Sequence, residues 1–165
     1  MEQKNPSFWE VNKDKIRAFL ISASIGIFSM LSFVCLIAPG LISGDQGYRL
    51  LEVVFGGVGE PTVFEPNYFL IVAFILIVIA FVSSMRPNIK PFFFLINGII
   101  FAVSALLLFL IVPLNDFIQD VPIIPVSIGY GTIIAAIILI ISAVAAITLF
   151  VYETKGTRSK VINNG

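Results

Sequence analysis

Four long apolar stretches divide the chain: Ala18–Ala38, Phe69–Met85, Phe92–Val112 and Val126–Val151. None contains Asp, Glu, Lys, Arg or His. Pro39-Gly40 closes the first and Arg86-Pro87 the second, Pro91 and Pro113 bracket the third, and Pro122 and Pro125 precede the fourth. Proline has no amide donor and disfavours a helical residue before it, so these positions predict helix boundaries. A helix needs about 20 apolar residues, within a range of about 17–25, to cross the hydrocarbon core of a bilayer. The second stretch meets the lower bound, and the fourth slightly exceeds the upper one, which tilting accommodates. The first is too long for a removed signal peptide and lacks its small-residue cleavage pattern. The pattern predicts an all-α integral membrane protein: a four-transmembrane-helix bundle forming one domain over residues 1–165.

The polar segments predict its orientation. Lys4, Lys13, Lys15 and Arg17 precede the first span, Arg86 and Lys90 lie between the second and third, and Lys155, Arg158 and Lys160 follow the fourth. The alternate loops, residues 39–68 and 113–125, hold only Arg49 among basic residues, with Asp45, Glu52, Glu60, Glu65, Asp116 and Asp120. Basic residues collect on the cytoplasmic side of a membrane. Both tails, residues 1–17 and 152–165, are therefore expected in the cytoplasm, and residues 39–68 form the first outer loop of a multi-pass protein in the cell membrane. The N-terminal tail carries Ser7-Phe8-Trp9-Glu10, a capping-box spacing that predicts a helix start at Ser7.

Composition agrees and narrows the chemistry. Hydrophobic residues make up 58% and charged residues 12%, against roughly 45–50% and about 25% in soluble domains. The formal net charge is zero, which gives no reason to expect nucleic acid as a partner. The single cysteine, Cys35, has no internal partner for a disulfide, and there is no histidine. Neither a metal site of the usual ligand types nor a cofactor is expected.

The first outer loop is too long for a simple connection between helices. Within it, Tyr48, Leu51 and Phe55 share one helical face, Arg49 and Glu52 are spaced to pair at i,i+3, Asp45 is placed to cap, and Gly56 to terminate in a left-handed conformation. A short amphipathic helix is predicted. The alternative is a β-hairpin pairing Leu50–Phe55 with Pro61–Phe64 across the intervening glycines. Either form makes Tyr48, Arg49, Leu51, Glu52 and Phe55 candidate partner-facing residues.

Helices in lipid associate through small residues and interhelical hydrogen bonds. Ser22 and Gly26 in the first span, Gly98 and Ala102 in the third, and Gly131 and Ala135 in the fourth recur at four-residue steps and are candidate packing faces. Such faces serve the bundle itself or a homo-oligomer. The second span, poor in small residues, is expected to be the most lipid-exposed. Asn97 is the strongest polar group within the spans, and its amide is expected to bond a facing helix at Ser83, Ser84 or Thr148.

Ionisable residues in mid-membrane cost roughly 2.5–3.5 kcal/mol each on insertion scales and are kept where proton or ion coupling needs them. These spans have none. No phosphate-binding loop, nucleophile elbow or zinc-protease pattern is present, so no catalytic residue is assigned. Four spans with a long first outer loop resemble claudin-like proteins in topology. That family carries a tryptophan and a cysteine pair in the loop, and residues 39–68 have neither, so the resemblance extends to topology alone. The expected function is that of a small non-enzymatic membrane protein, a structural or accessory subunit docking a membrane-protein partner through its outer loop and helix faces. The alternative is an oligomeric transporter or channel for a neutral or apolar solute, with the first-span serines and Gly129–Thr132 along its path.

Overall fold

The computed structural model describes residues 8–43, 45–57, 65–87, 90–118 and 126–163. Helix α1 spans Phe8–Met30 and runs into a 3₁₀ segment, Leu31–Ile37. Strands β1 (Pro39–Ser43) and β2 (Gln46–Arg49) follow, then the short helix α2 (Leu50–Phe55). Helices α3 (Tyr68–Ser84) and α4 (Pro91–Phe109) come next, α5 (Ile111–Ile118) continues from α4, and strand β3 (Ser127–Ile128) leads into α6 (Tyr130–Asn163). Among the described residues, three helical stretches are long and apolar enough to cross a membrane: Lys15–Ile37, Pro91–Phe109 and Tyr130–Lys155. Helix α3 is equally apolar but shorter, with 17 residues. Helix α1 packs on α3 and α6, and α4 packs on α3 and α6.

Small residues and hydroxyls set these contacts. A Cβ at Gly26 would lie 2.9 Å from Ser84 Cβ, so α1 meets the end of α3 closely. A Cβ at Gly98 would lie 2.7 Å from Ile147 Cγ1, which fixes the approach of α4 to α6. Ser104 Oγ donates to the Ala73 carbonyl at 3.2 Å, joining α4 to α3. Helix α3 buries Leu70, Ala73, Phe74, Ile77, Ala80 and Ser84 along one stripe. It is not set apart as a lipid-facing helix: large side chains that interlock, such as Phe74 edge-on to Phe33 at 5.0 Å, do what small residues do elsewhere.

Two helix irregularities have local causes. Ser29 Oγ donates to the Gly26 carbonyl and Ser32 Oγ to the Ser29 carbonyl, both at 2.7 Å. These bonds compete with the backbone ladder where α1 tightens into 3₁₀ geometry. At 2.0 Å rise per residue, against 1.5 Å, the 3₁₀ segment gains reach of about 3–4 Å. Pro113 does not end the third helix as expected. Its missing donor and its ring displace the chain one turn earlier, at Leu110, and the helix resumes as α5 through Pro113.

The expectation of an all-α protein needs correction, because β2, β1 and β3 form a three-stranded antiparallel sheet in that order. The fourth apolar stretch is therefore not helical from its start: Ser127–Ile128 are extended, pairing with Ile42 and Leu41, and the helix begins at Tyr130. The hairpin also differs from the one expected. Leu50–Phe55 is helical, and the strands are the residues before it, with Leu41 opposite Tyr48 and Ser43 opposite Gln46. Residues 61–64, the other strand of the expected hairpin, lie outside the described residues, as does Ser7 of the expected capping box; α1 is helical from the next residue, Phe8.

Candidate docking platform

The sheet, α2, α5 and the adjoining ends of the long helices make one platform. Strand β1 is its centre, buried at Leu41 and Ser43. Gly129 N–H donates to the Gly40 carbonyl at 2.8 Å and Thr132 Oγ1 donates to the same oxygen at 2.8 Å, so the start of α6 is bonded to the middle of the sheet. Ser127 Oγ adds a bond to the Ile42 carbonyl at 3.2 Å. The fit requires glycine: a Cβ at Gly40 would lie 2.7 Å from Leu50 Cα, and one at Gly129 would collide with the Pro39 carbonyl.

Helix α2 is held on both sides. Leu50 N–H donates to the Ala38 carbonyl at 2.9 Å, and Asn67 N–H donates to the Val54 carbonyl at 3.0 Å. Asn67 also caps α3, its Oδ1 accepting from Leu70 N–H at 3.2 Å, while its Nδ2 is buried with no hydrogen-bond partner among the described residues. Arg49 is the N-cap residue of α2, and its backbone N–H donates to the Glu52 carboxylate at 3.1 Å. Asp45, expected as the cap, sits instead at the turn of the hairpin, because the extended residues Gln46–Arg49 delay the helix start. Gly56 ends the helix with φ 86°, a conformation that L side chains rarely adopt.

Helix α2 buries Leu50, Val53 and Val54 completely and turns Leu51 and Phe55 outward at 44% and 52% exposure. Sequence spacing grouped Tyr48 with Leu51 and Phe55. Tyr48 instead belongs to β2, half-buried, with its hydroxyl donating to Gln46 Oε1 at 3.1 Å, while Arg49 is exposed and Glu52 half-buried. The grouping failed because a change from strand to helix at residue 50 breaks the 3.6-residue period. Phe117 on α5, 76% exposed, stands edge-on to Phe69 at 6.4 Å and adds an aromatic residue that spacing alone did not single out.

The remaining candidates lie among the long helices. Asn97 is buried, and Nδ2 donates to Ser84 Oγ at 3.1 Å, whereas Oδ1 has no partner among the described residues. Ser22, Gly26, Gly98 and Ala135 are buried in packing. Ala102 is exposed: the buried stripe of α4 passes through Phe101, Ser104 and Ala105, and Ala102 falls beyond its edge. Gly131 packs on Ala38 and Pro39 of the chain entering the sheet rather than on a helix. Ser24, Ser29 and Ser32 donate to carbonyls of their own segment, and Gly129, Gly131 and Thr132 are occupied by β1, whereas Tyr130 is exposed. Among the described residues, no three Asp, Glu, Cys or His side chains are grouped to hold a metal. No protein-family model and no curated protein matches the chain.

Proposed function

We propose that the protein is a four-span, multi-pass component of the cell membrane with both tails in the cytoplasm, acting without enzymatic chemistry as a structural or accessory subunit that docks a membrane-protein partner on its outer platform. The supporting observation is the treatment of α2. A six-residue helix is fixed by bonds to Ala38 and Asn67 and by three buried side chains, yet presents Leu51 and Phe55 outward. Exposed apolar side chains on a rigid, polar-rimmed base suit a protein interface, where ordering costs little entropy. Exposed Arg49 and half-buried Glu52 supply the rim, which steers and discriminates partners more than it adds affinity. Helix α3, at about 25 Å, is the fourth span, short enough to require slight local thinning of the bilayer.

A photo-crosslinking residue at position 51 or 55 in intact cells is expected to give one discrete protein adduct, and the same residue at Val144 on the exposed flank of α6 is expected to give none. Leu51→Glu with Phe55→Glu is expected to abolish the adduct at unchanged protein level. Lipid adducts alone at 51 and 55 would overturn the docking reading.

A further inference from the structure

A groove runs along the seam between α1 and α6, away from the platform. One part, about 420 Å³, reaches from Phe28 and Ile141 to Ile21 and Ala145. A second part, about 380 Å³, continues past Ile21 and Ala145 to Arg17, Tyr152 and Glu153. The seam is open because Ser24, Ser142 and Ala145 face it with little side chain to fill it.

Its chemistry is hydrocarbon along the length, with Arg17 stacked at the mouth. The hydroxyls on its wall are turned into their own helices: Ser24 donates to the Leu20 carbonyl at 2.9 Å, Ser142 to Ile138 at 2.9 Å and Thr148 to Val144 at 2.7 Å. Their donors are thus engaged by carbonyls, which leaves an apolar surface to the groove. At the mouth the Arg17 guanidinium carbon stands 5.7 Å from the Tyr152 ring centroid, a stacked cation beside an amphipathic ring. Lys13 lies one turn further along the Arg17 stripe and is exposed. Among the described residues lining the mouth, Glu153 on α6 is the acidic side chain that accompanies Arg17.

The dimensions match one leaflet. Tyr130 and Tyr152, both exposed on α6, are about 33 Å apart along the helix axis, close to the roughly 30 Å hydrocarbon core with a ring at each boundary. Arg17 to Phe28 covers about 16 Å, roughly half the core. The groove therefore starts at a headgroup layer and ends near the bilayer midplane.

We infer that the α1/α6 seam is a binding site for an anionic phosphoglyceride, one acyl chain lying in the groove and the phosphate meeting Arg17 beside Tyr152. The inference needs only α1 and α6 to cross the membrane. It holds whichever side the tails occupy, and it stands apart from the platform.

The full chain is reconstituted in phosphatidylcholine vesicles containing spin-labelled phosphatidylglycerol or phosphatidylcholine with the same acyl chains. Association of the motionally restricted lipid is expected to favour phosphatidylglycerol about fivefold, the effect of one cation close to an anionic headgroup. Arg17→Gln is expected to bring phosphatidylglycerol down to the phosphatidylcholine level. Lys15→Gln, an exposed cation about 200° round the helix from Arg17, is expected to leave the preference intact. Ala145→Trp, which fills the seam, is expected to remove it while Arg17 remains. Equal association of the two lipids with the unaltered chain would overturn the proposal, as would equal losses in the Gln variants at 15 and 17, which would mark a diffuse tail charge. A second copy seated in the seam, seen as a dimer that excludes both lipids alike, would overturn it too.

Discussion

Gly129 sits where three constraints meet. Its N–H is bonded to the Gly40 carbonyl, its α-carbon faces the Pro39 backbone, and the next residue begins α6. A side chain here has no flexible neighbour to displace, because what it meets is backbone. Overpacking of this kind costs about 1–3 kcal/mol. Gly129→Ala is expected to lower the thermal unfolding midpoint in detergent by that equivalent. Gly47→Ala should shift it little: Gly47 is exposed, and a Cβ there would lie 3.3 Å from the Pro39 ring. Equal effects would show that the sheet does not press on the start of α6. The Asn97 amide bonds Ser84 across helices, an interhelical bond worth roughly 1–2 kcal/mol in model helices.

Strand β3 is only two residues long, yet it is the element that ties the segment entering α6 to the segment leaving α1. An isolated two-residue strand has no stability of its own. It persists because Gly129, Ser127 and Thr132 all bond to β1 around it. Ile42 and Ser127 are opposed in antiparallel register, a placement within the Cα separation that a disulfide tolerates. With Cys35→Ala as background, Ile42→Cys with Ser127→Cys is expected to form an intramolecular disulfide in cells without added oxidant, read as a mobility shift on non-reducing gels that reductant reverses. Oxidation would also place the pair outside the reducing cytosol. Persistent free thiols accessible to alkylation would contradict the pairing or its sidedness.

At the scale of the whole molecule, basic residues other than Arg49 collect away from the platform. Lys13, Lys15, Arg17, Arg86, Lys90 and Lys155 lie on the tails and the α3–α4 connection, whereas Asp45, Glu65 and Asp116 lie around the platform. Whether the chain crosses the bilayer at α3 is testable, since a short α3 that failed to cross would leave residues 45 and 87 on one side. In the Cys35→Ala background, Asp45→Cys is expected to react with an impermeant maleimide on intact cells, and Pro87→Cys only after permeabilisation. Equal reaction of both in intact cells would remove the fourth span and reverse the sidedness of everything after it.

The sequence by itself determined the helices and their approximate ends, because an apolar period and proline breaks are local signals and lipid imposes them on each segment separately. It also singled out Asn97, Gly26 and Gly98 by residue type, and a short helix ended by Gly56, but the spacing predicts that helix from Asp45 through Tyr48, with a hairpin through Leu50–Phe55 as the alternative, whereas the helix starts at Leu50. It did not determine the sheet. Ser127–Ile128 read as the start of a helix because apolar character does not distinguish strand from helix over so few residues. The Gly44-Asp45 dipeptide between Ser43 and Gln46 was the one local hint of the hairpin, a two-residue turn signal. Only tertiary structure could bring Leu41 against Ile128, 87 positions away in numbering, and only the bonds of α2 to Ala38 and Asn67 decide that Leu51 and Phe55 face outward while Leu50, Val53 and Val54 face in. The α1/α6 groove is likewise invisible in either helix alone: Ser24, Ser142 and Ala145 read as packing residues until the two helices are set side by side and the space between them is left unfilled.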